Sequence, residues 1–141
     1  MKSQALRILA VVGLFLAATL VPAYAQSQAI KANIPFDFFA GKGALPAGEY
    51  LIGNSTISGV LLIQSQHGRP AAFLMTRGAE KNNASGEAKL VFNRYGDQYF
   101  LSQIWRPGTD NVRQLMKSPL EREVAKNGST PKTETVVAVK K

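Results

Sequence analysis

Few residues in this chain carry the chemistry of a catalyst. His67 is its single histidine, and there is no cysteine among its 141 residues. That excludes thiolate nucleophiles, thiolate metal sites and disulfides. One imidazole also falls short of the ligand set that a transition metal requires. His67 stands beside Gly68 in a turn-like stretch, and no serine occupies a Gly-x-Ser-x-Gly elbow that would give it a nucleophile. Asp37 and Glu49 flank the first turn and face each other if that turn is a hairpin, an arrangement that can serve glycoside hydrolysis at the right separation. Asp97 and Asp110 are further carboxylates. Nothing around them sets up a cleft or a raised pKa, and turn carboxylates are ordinarily solvated. No catalytic, cofactor or metal site emerges. A non-enzymatic role is expected, the alternative being a hydrolase that uses carboxylates.

The aromatic stretch 89–105 offers a surface instead of a catalyst. Two apolar runs flank Gly96-Asp97, a pair suited to a two-residue hairpin loop. In that register Tyr95 pairs with Gln98, Phe92 lies opposite Leu101, and Arg94 lies opposite Tyr99. Leu90 then falls opposite Gln103 on the same face, with Trp105 beyond. This face is the richer in large apolar groups and is expected to be the core side, with Trp105 buried. A one-residue slip would exchange the two faces. The binding alternative takes Arg94, Tyr99, Gln103 and Trp105 as a stacking or apolar ligand surface at a barrel mouth, the polar ends of Tyr and Trp serving as handles.

The rest of the chain reads as short strands. Residues 30–38 alternate, with Ile30, Ala32, Ile34, Phe36 and Phe38 on one face and Pro35 marking an edge or a bulge. Gly41-Lys42-Gly43 and Leu45-Pro46-Ala47-Gly48 supply turns. Further strands are expected at 49–53, 59–65 and 71–77, and a polar surface loop at 78–86. Ser118-Pro119-Leu120-Glu121 reads as a capped helix start with a capping box, and Asn127-Gly128 as its end. Leu115, Leu120 and Val124 give that helix a narrow apolar stripe. Residues 133–139 read either as a last strand or as part of a basic tail. Six or seven short strands with one short C-terminal helix predict a mainly β fold, an antiparallel barrel or sandwich.

The N-terminus has the plan of an export signal. Lys2 and Arg7 precede an apolar run over 8–20, followed by Pro22 and Ala23-Tyr24-Ala25. Small residues at those positions fit cleavage after Ala25. The run is short for a bilayer span, so no stable transmembrane anchor is expected. The domain plan is a signal peptide over 1–25, a β-rich domain over 26–128, and a basic tail or last strand over 129–141. Removing 25 residues from 141 leaves 116, enough for one core. Without Lys2 and Arg7, 15 of the 17 basic residues remain against 9 acidic ones, about +6. In a periplasmic or extracellular protein such an excess points to anionic envelope polysaccharide or lipid as partner rather than nucleic acid. A small apolar ligand, or a structural envelope role without a soluble ligand, are the other readings.

Three stretches carry a resemblance: Ile34-Pro-Phe-Asp-Phe-Phe with Leu45-Pro-Ala-Gly-Glu-Tyr50, the hairpin from Leu90 to Trp105, and Arg113-Gln-Leu-Met-Lys-Ser-Pro-Leu-Glu-Arg-Glu123. Across residues 30–126 the chain resembles a group of small uncharacterised exported proteins frequent in acidobacterial genomes. That group has no established activity, so the resemblance implies export and a one-domain organisation.

Overall fold

Period-two alternation of apolar residues closes into a barrel because each strand has one face that must leave water. The computed structural model describes residues 29–67, 69–79, 86–107 and 112–141. The expected signal peptide lies outside the described residues, as does most of the expected 78–86 loop. The elements are β1 (Ile30–Ile34), β2 (Phe38–Ala40), β3 (Gly43–Leu45), β4 (Gly48–Asn54), β5 (Val60–Ser65), β6 (Pro70–Gly78), β7 (Lys89–Tyr95), β8 (Gln98–Trp105), β9 (Arg113–Leu115), α1 (Pro119–Lys126) and β10 (Lys132–Lys140). Eight strands form a closed antiparallel ring in the order β8-β7-β10-β1-β4-β5-β6-β9, with β9 pairing back onto β8. β2 and β3 form a two-stranded flap, and β2 pairs in parallel with β8 at Phe39 and Phe100. Of the two expected architectures, the chain adopts the barrel.

The interior is apolar. Ile30, Ile34, Ile52, Ile63, Leu74, Leu90, Phe92 and Ile104 are wholly withdrawn from solvent. Lys31, Glu49 and Lys89 lie on the outer wall, which is the reverse of the pattern of a membrane-spanning barrel. One barrel end is filled by aromatic rings. Phe36 packs edge-on against Phe92 with centroids 5.0 Å apart and stacks on Tyr99 at 3.8 Å. Phe38 meets Phe92 and Tyr50 edge-on below them.

The strand count differs from the expected six or seven. Residues 30–38 break at Pro35, which cannot donate to a ladder, so β1 continues the barrel while β2 turns away to join β8. β3 and β9, three residues each, are too short to show a period. Of the two readings of the C-terminus, the strand holds: β10 lies between β1 and β7, inside the ring.

The hairpin keeps its predicted turn, and its predicted register as far as Phe92 and Leu101, and departs from that register beyond them. Tyr95 pairs with Gln98, Arg94 with Tyr99 and Phe92 with Leu101. Gly96 has φ +61°, and no described non-glycine residue has a positive φ, so the glycine takes the position in the turn that a side chain disfavours. The ladder then shifts between Val91 and Phe92: Val91 pairs with Gln103 and Leu90 with Ile104. Ser102 is the extra residue of a bulge, and it reverses the facing of everything after it. Ile104 therefore enters the core, and Trp105, expected there, lies half-buried on the outer wall. The Lys89 ammonium sits 4.5 Å from its ring centroid.

Two outcomes follow from this register. Phe92→Ala should cost about 3–5 kcal/mol, as for other buried aromatics. Trp105→Ala should cost about 1–2 kcal/mol, from partial burial and one exposed cation–π contact. Urea melts followed by circular dichroism compare the two, and tryptophan emission in the native protein should already be red-shifted by water. Removing residues 132–141 takes out a strand bonded on both sides. It should abolish the cooperative melt, because the loss rivals the ~5–15 kcal/mol stability of a whole domain.

Candidate functional site

The sequence-predicted surface residues do not converge. Arg94 and Tyr99 form one pair near the hairpin tip, the guanidinium 5.2 Å from the ring centroid. Arg94 Nε also donates to Gly96 O at 2.8 Å. Gln103 and Trp105 form another pair beyond the bulge, where Trp105 Nε1 donates to Gln103 Oε1 at 3.2 Å. Tyr99 belongs to the inner face and Trp105 to the outer, so Ser102 divides the expected patch in two.

The carboxylate pair is also divided. Asp37 accepts the Ala47 N–H at 2.8 Å and so closes the first turn. Glu49 instead meets Lys31 at 3.1 Å across β1 and β4. Burial, reinforced by the Asp37 charge, pushes the Tyr50 phenol above its usual pKa. The phenol donates to Pro46 O at 2.6 Å. Asp37 and Asp97 line a groove of about 360 Å³ beside Tyr99. His67 is exposed in the β5–β6 turn, the position its sequence context indicates. Asp110 lies outside the described residues. Among the described residues no group of three metal-ligating side chains converges.

A different region has the properties of a binding surface. β9 covers only Thr76, Arg77 and Gly78 of β6. On the other side of the seam, the partner of β8 changes from β9 at Gln103 and Ile104 to β2 at Phe100. The wall thus splits between the earlier part of β6 and the β2–β3 flap. That split is a groove of about 510 Å³, lined by Phe73 and Met75 of β6, the 115–119 segment, the flap tip at Gly41-Lys42, and Arg122 of α1. Its apolar side chains face water: Phe73 is 64% exposed, Met75 70% and Met116 61%. Three cations, Lys42, Lys117 and Arg122, stand among the lining residues, and no carboxylate does. Exposed apolar surface rimmed by charge of one sign is the composition of a docking site for an anionic, apolar-tailed partner.

The helix places part of that rim. Ser118 Oγ accepts the Glu121 N–H at 3.1 Å, as the cap motif requires. The Glu121 carboxylate does not return to the cap. It is buried against β7, where Oε1 accepts from Asn93 Nδ2 at 2.8 Å and from the Tyr95 hydroxyl at 3.3 Å. A buried carboxylate needs donors, and these two provide them. Outside the barrel, Tyr95 packs edge-on against Phe100, which stacks on Phe39. Of the expected apolar stripe, Val124 is half-buried, Leu120 is exposed and Leu115 belongs to β9, so the fully buried side chain of the helix is that of Glu121.

Strand character alone, as expected for 71–77, does not reveal the groove residues. The Phe73-Leu74-Met75 run is apolar on both faces. In a strand with one buried face, that leaves apolar side chains outside, and this was the available sign. No family model matches the chain, and neither a curated protein nor a solved structure shows significant similarity to it.

Glu121→Ala should release α1 from β7 and cost about 1–3 kcal/mol, because it strands the Asn93 and Tyr95 donors. Glu121→Gln keeps an oxygen for both donors and should cost less. Thermal melts of the two variants make the comparison. Phe73→Ser and Met75→Ser should each change stability by under about 0.5 kcal/mol, as exposed positions do.

Proposed function

We propose that this is an exported, non-enzymatic barrel that docks onto an anionic lipid surface of the cell envelope through the groove between β6 and the β2–β3 flap. The observation that carries the reading is the coincidence of exposed Phe73, Met75 and Met116 with Lys42, Lys117 and Arg122. The apolar side chains enter the acyl boundary, and the cations meet headgroup phosphates. Arg77, exposed on β6, and Lys126, which lines a neighbouring depression with Arg122, extend the positive face. The mature charge of about +6 acts in the same direction at longer range. The assignment of no catalysis is supported by the separate partners of Asp37 and Glu49.

Export itself rests on the N-terminal pattern, and sequencing of the mature protein should begin at Gln26. Docking is tested by co-sedimentation of the mature protein with vesicles of phosphatidylglycerol and phosphatidylethanolamine, against vesicles of phosphatidylcholine alone. Binding should favour the anionic vesicles and weaken with salt, as screened attraction does. Replacing Lys42, Lys117 and Arg122 together with Gln should weaken it by about 3 kcal/mol, roughly a hundredfold, at ~1 kcal/mol per cation. Phe73→Ser with Met75→Ser should weaken it while leaving the melting temperature in place. Equal affinity for neutral vesicles, or binding to purified envelope polysaccharide unaffected by these variants, would overturn the lipid assignment.

A further inference from the structure

The sulfur of this protein is gathered in one place. The chain has no cysteine, and its three methionines are Met1, Met75 and Met116. Met1 falls in the segment that cleavage after Ala25 removes. Met75 and Met116 both line the groove between β6 and the β2–β3 flap. The register of β6 on β9 brings them together. Gly78 pairs with Arg113, Arg77 with Gln114 and Thr76 with Leu115. Continued by one position, that register sets Met75 opposite Met116, at the point where the ladder stops. Residues opposite each other in an antiparallel pair project from the same face. Leu74 is wholly buried, so its neighbour Met75 belongs to the outward face, with Phe73.

Methionine ordinarily fills irregular gaps in a core. Here the core cluster consists of Ile, Leu, Phe, Tyr and Ala, and neither methionine belongs to it. Both are largely exposed, Met75 at 70% and Met116 at 61%. Their thioethers are open to dissolved oxidants, and a change at either sulfur leaves the packing of the barrel alone. Oxidation turns an apolar thioether into a polar sulfoxide. Carried into an acyl boundary without a donor, that oxygen costs free energy. The cations beside the pair, Lys42, Lys117 and Arg122, are committed to headgroup phosphates in the docked state. Ringed by these charges, the pair does not suit a metal cation.

We propose that Met75 and Met116 form an oxidative modification site, at which a peroxide converts both to methionine sulfoxide and so releases the barrel from the anionic lipid surface. The switch rests on the docking function proposed for this groove. In each conversion a sulfur lone pair attacks one peroxide oxygen. The S–O bond forms as the O–O bond breaks, and the departing hydroxide takes up the proton of the attacked oxygen to leave as water. Sulfur loses two electrons and the peroxide gains them. Methionine sulfoxide reductases, one for each sulfoxide epimer, return the thioether, so the modification is reversible.

Treating the mature protein with hydrogen peroxide, beside N-acetylmethionine amide as reference, tests this. Mass analysis of the peptides carrying Met75 and Met116 should show each gaining one oxygen at a rate within about threefold of the reference, as exposure dictates. The melting temperature should stay in place. Affinity for phosphatidylglycerol–phosphatidylethanolamine vesicles should fall by about tenfold or more. Reduction by both methionine sulfoxide reductases with dithiothreitol should restore it. The double variant Met75→Leu with Met116→Leu has no sulfur to oxidise. Compared with itself before and after peroxide, its vesicle affinity should not change. Slower oxidation than that at either sulfur would overturn the proposal. So would a loss of binding that also occurs in the double variant, or one that comes with a lower melting temperature. Vesicle binding that survives full oxidation removes the switch and leaves docking standing. Absence of vesicle binding by the untreated protein removes both.

Discussion

Closure of the barrel rests on its last strand. β10 pairs along β7 from Lys132 to Val137 and along β1 from Ala138 to Lys140, bridging the two with one continuous segment. The handover is fastened by Ala138 N donating to Ala88 O at 2.8 Å, and the end of the chain by Lys141 N donating to Ala29 O at 3.1 Å. Without this segment β1 and β7 would each expose an edge, and the apolar interior would open to water. β1 and β10 meet here, so the ring cannot close until β10 is in place. Such a non-local pairing carries the full loop-closure cost before its contacts form.

That dependence explains which parts of the fold were legible in the sequence. Alternation located most of the strand-bearing segments, since one buried face per strand imposes period two. Gly96-Asp97 marked the hairpin because the turn demands a glycine, and Ser118-Pro119 marked the helix because caps are local. The bulge at Ser102 was not legible. Nothing in Leu101-Ser102-Gln103-Ile104 distinguishes a regular strand from a bulged one. The shift is set by what lies beyond β8, where β2 pairs before the bulge and β9 after it. A strand that changes neighbours must bend, and an inserted residue supplies the bend. The misplacement of Trp105 follows from that one tertiary requirement.

Glu121 shows the same limit at a single side chain. In sequence it completes a capping box with Ser118, and the backbone half of that motif forms. Its carboxylate is claimed instead by Asn93 and Tyr95, 28 and 26 residues away. A cap bond at the surface competes with water and is worth little beyond it. A carboxylate covered by its own helix must have donors or remain uncovered. Likewise, no spacing rule links Arg106, Arg113 and the turn at residues 55–59. They adjoin only because β9 returns beside β6.

Both recesses of the wall flank β9, the shortest strand of the ring. β9 is three residues long, pairing at three positions with β6 and two with β8. β1 and β10 also pair at three positions, but each has a longer ladder with its other neighbour, which β9 lacks. Along this seam the ladder ends, and the flanking side chains keep surface that a longer strand would bury. On one side of β9 the gap is bordered by Phe73, Met75 and the cationic flap, and on the other side by two arginines and a polar turn. Positive charge serves a structural purpose here as well, because lysine beside an uncovered strand edge opposes pairing with another chain's edge. The short β9 thus sets where the wall is recessed, while β10, paired along both of its edges, carries closure.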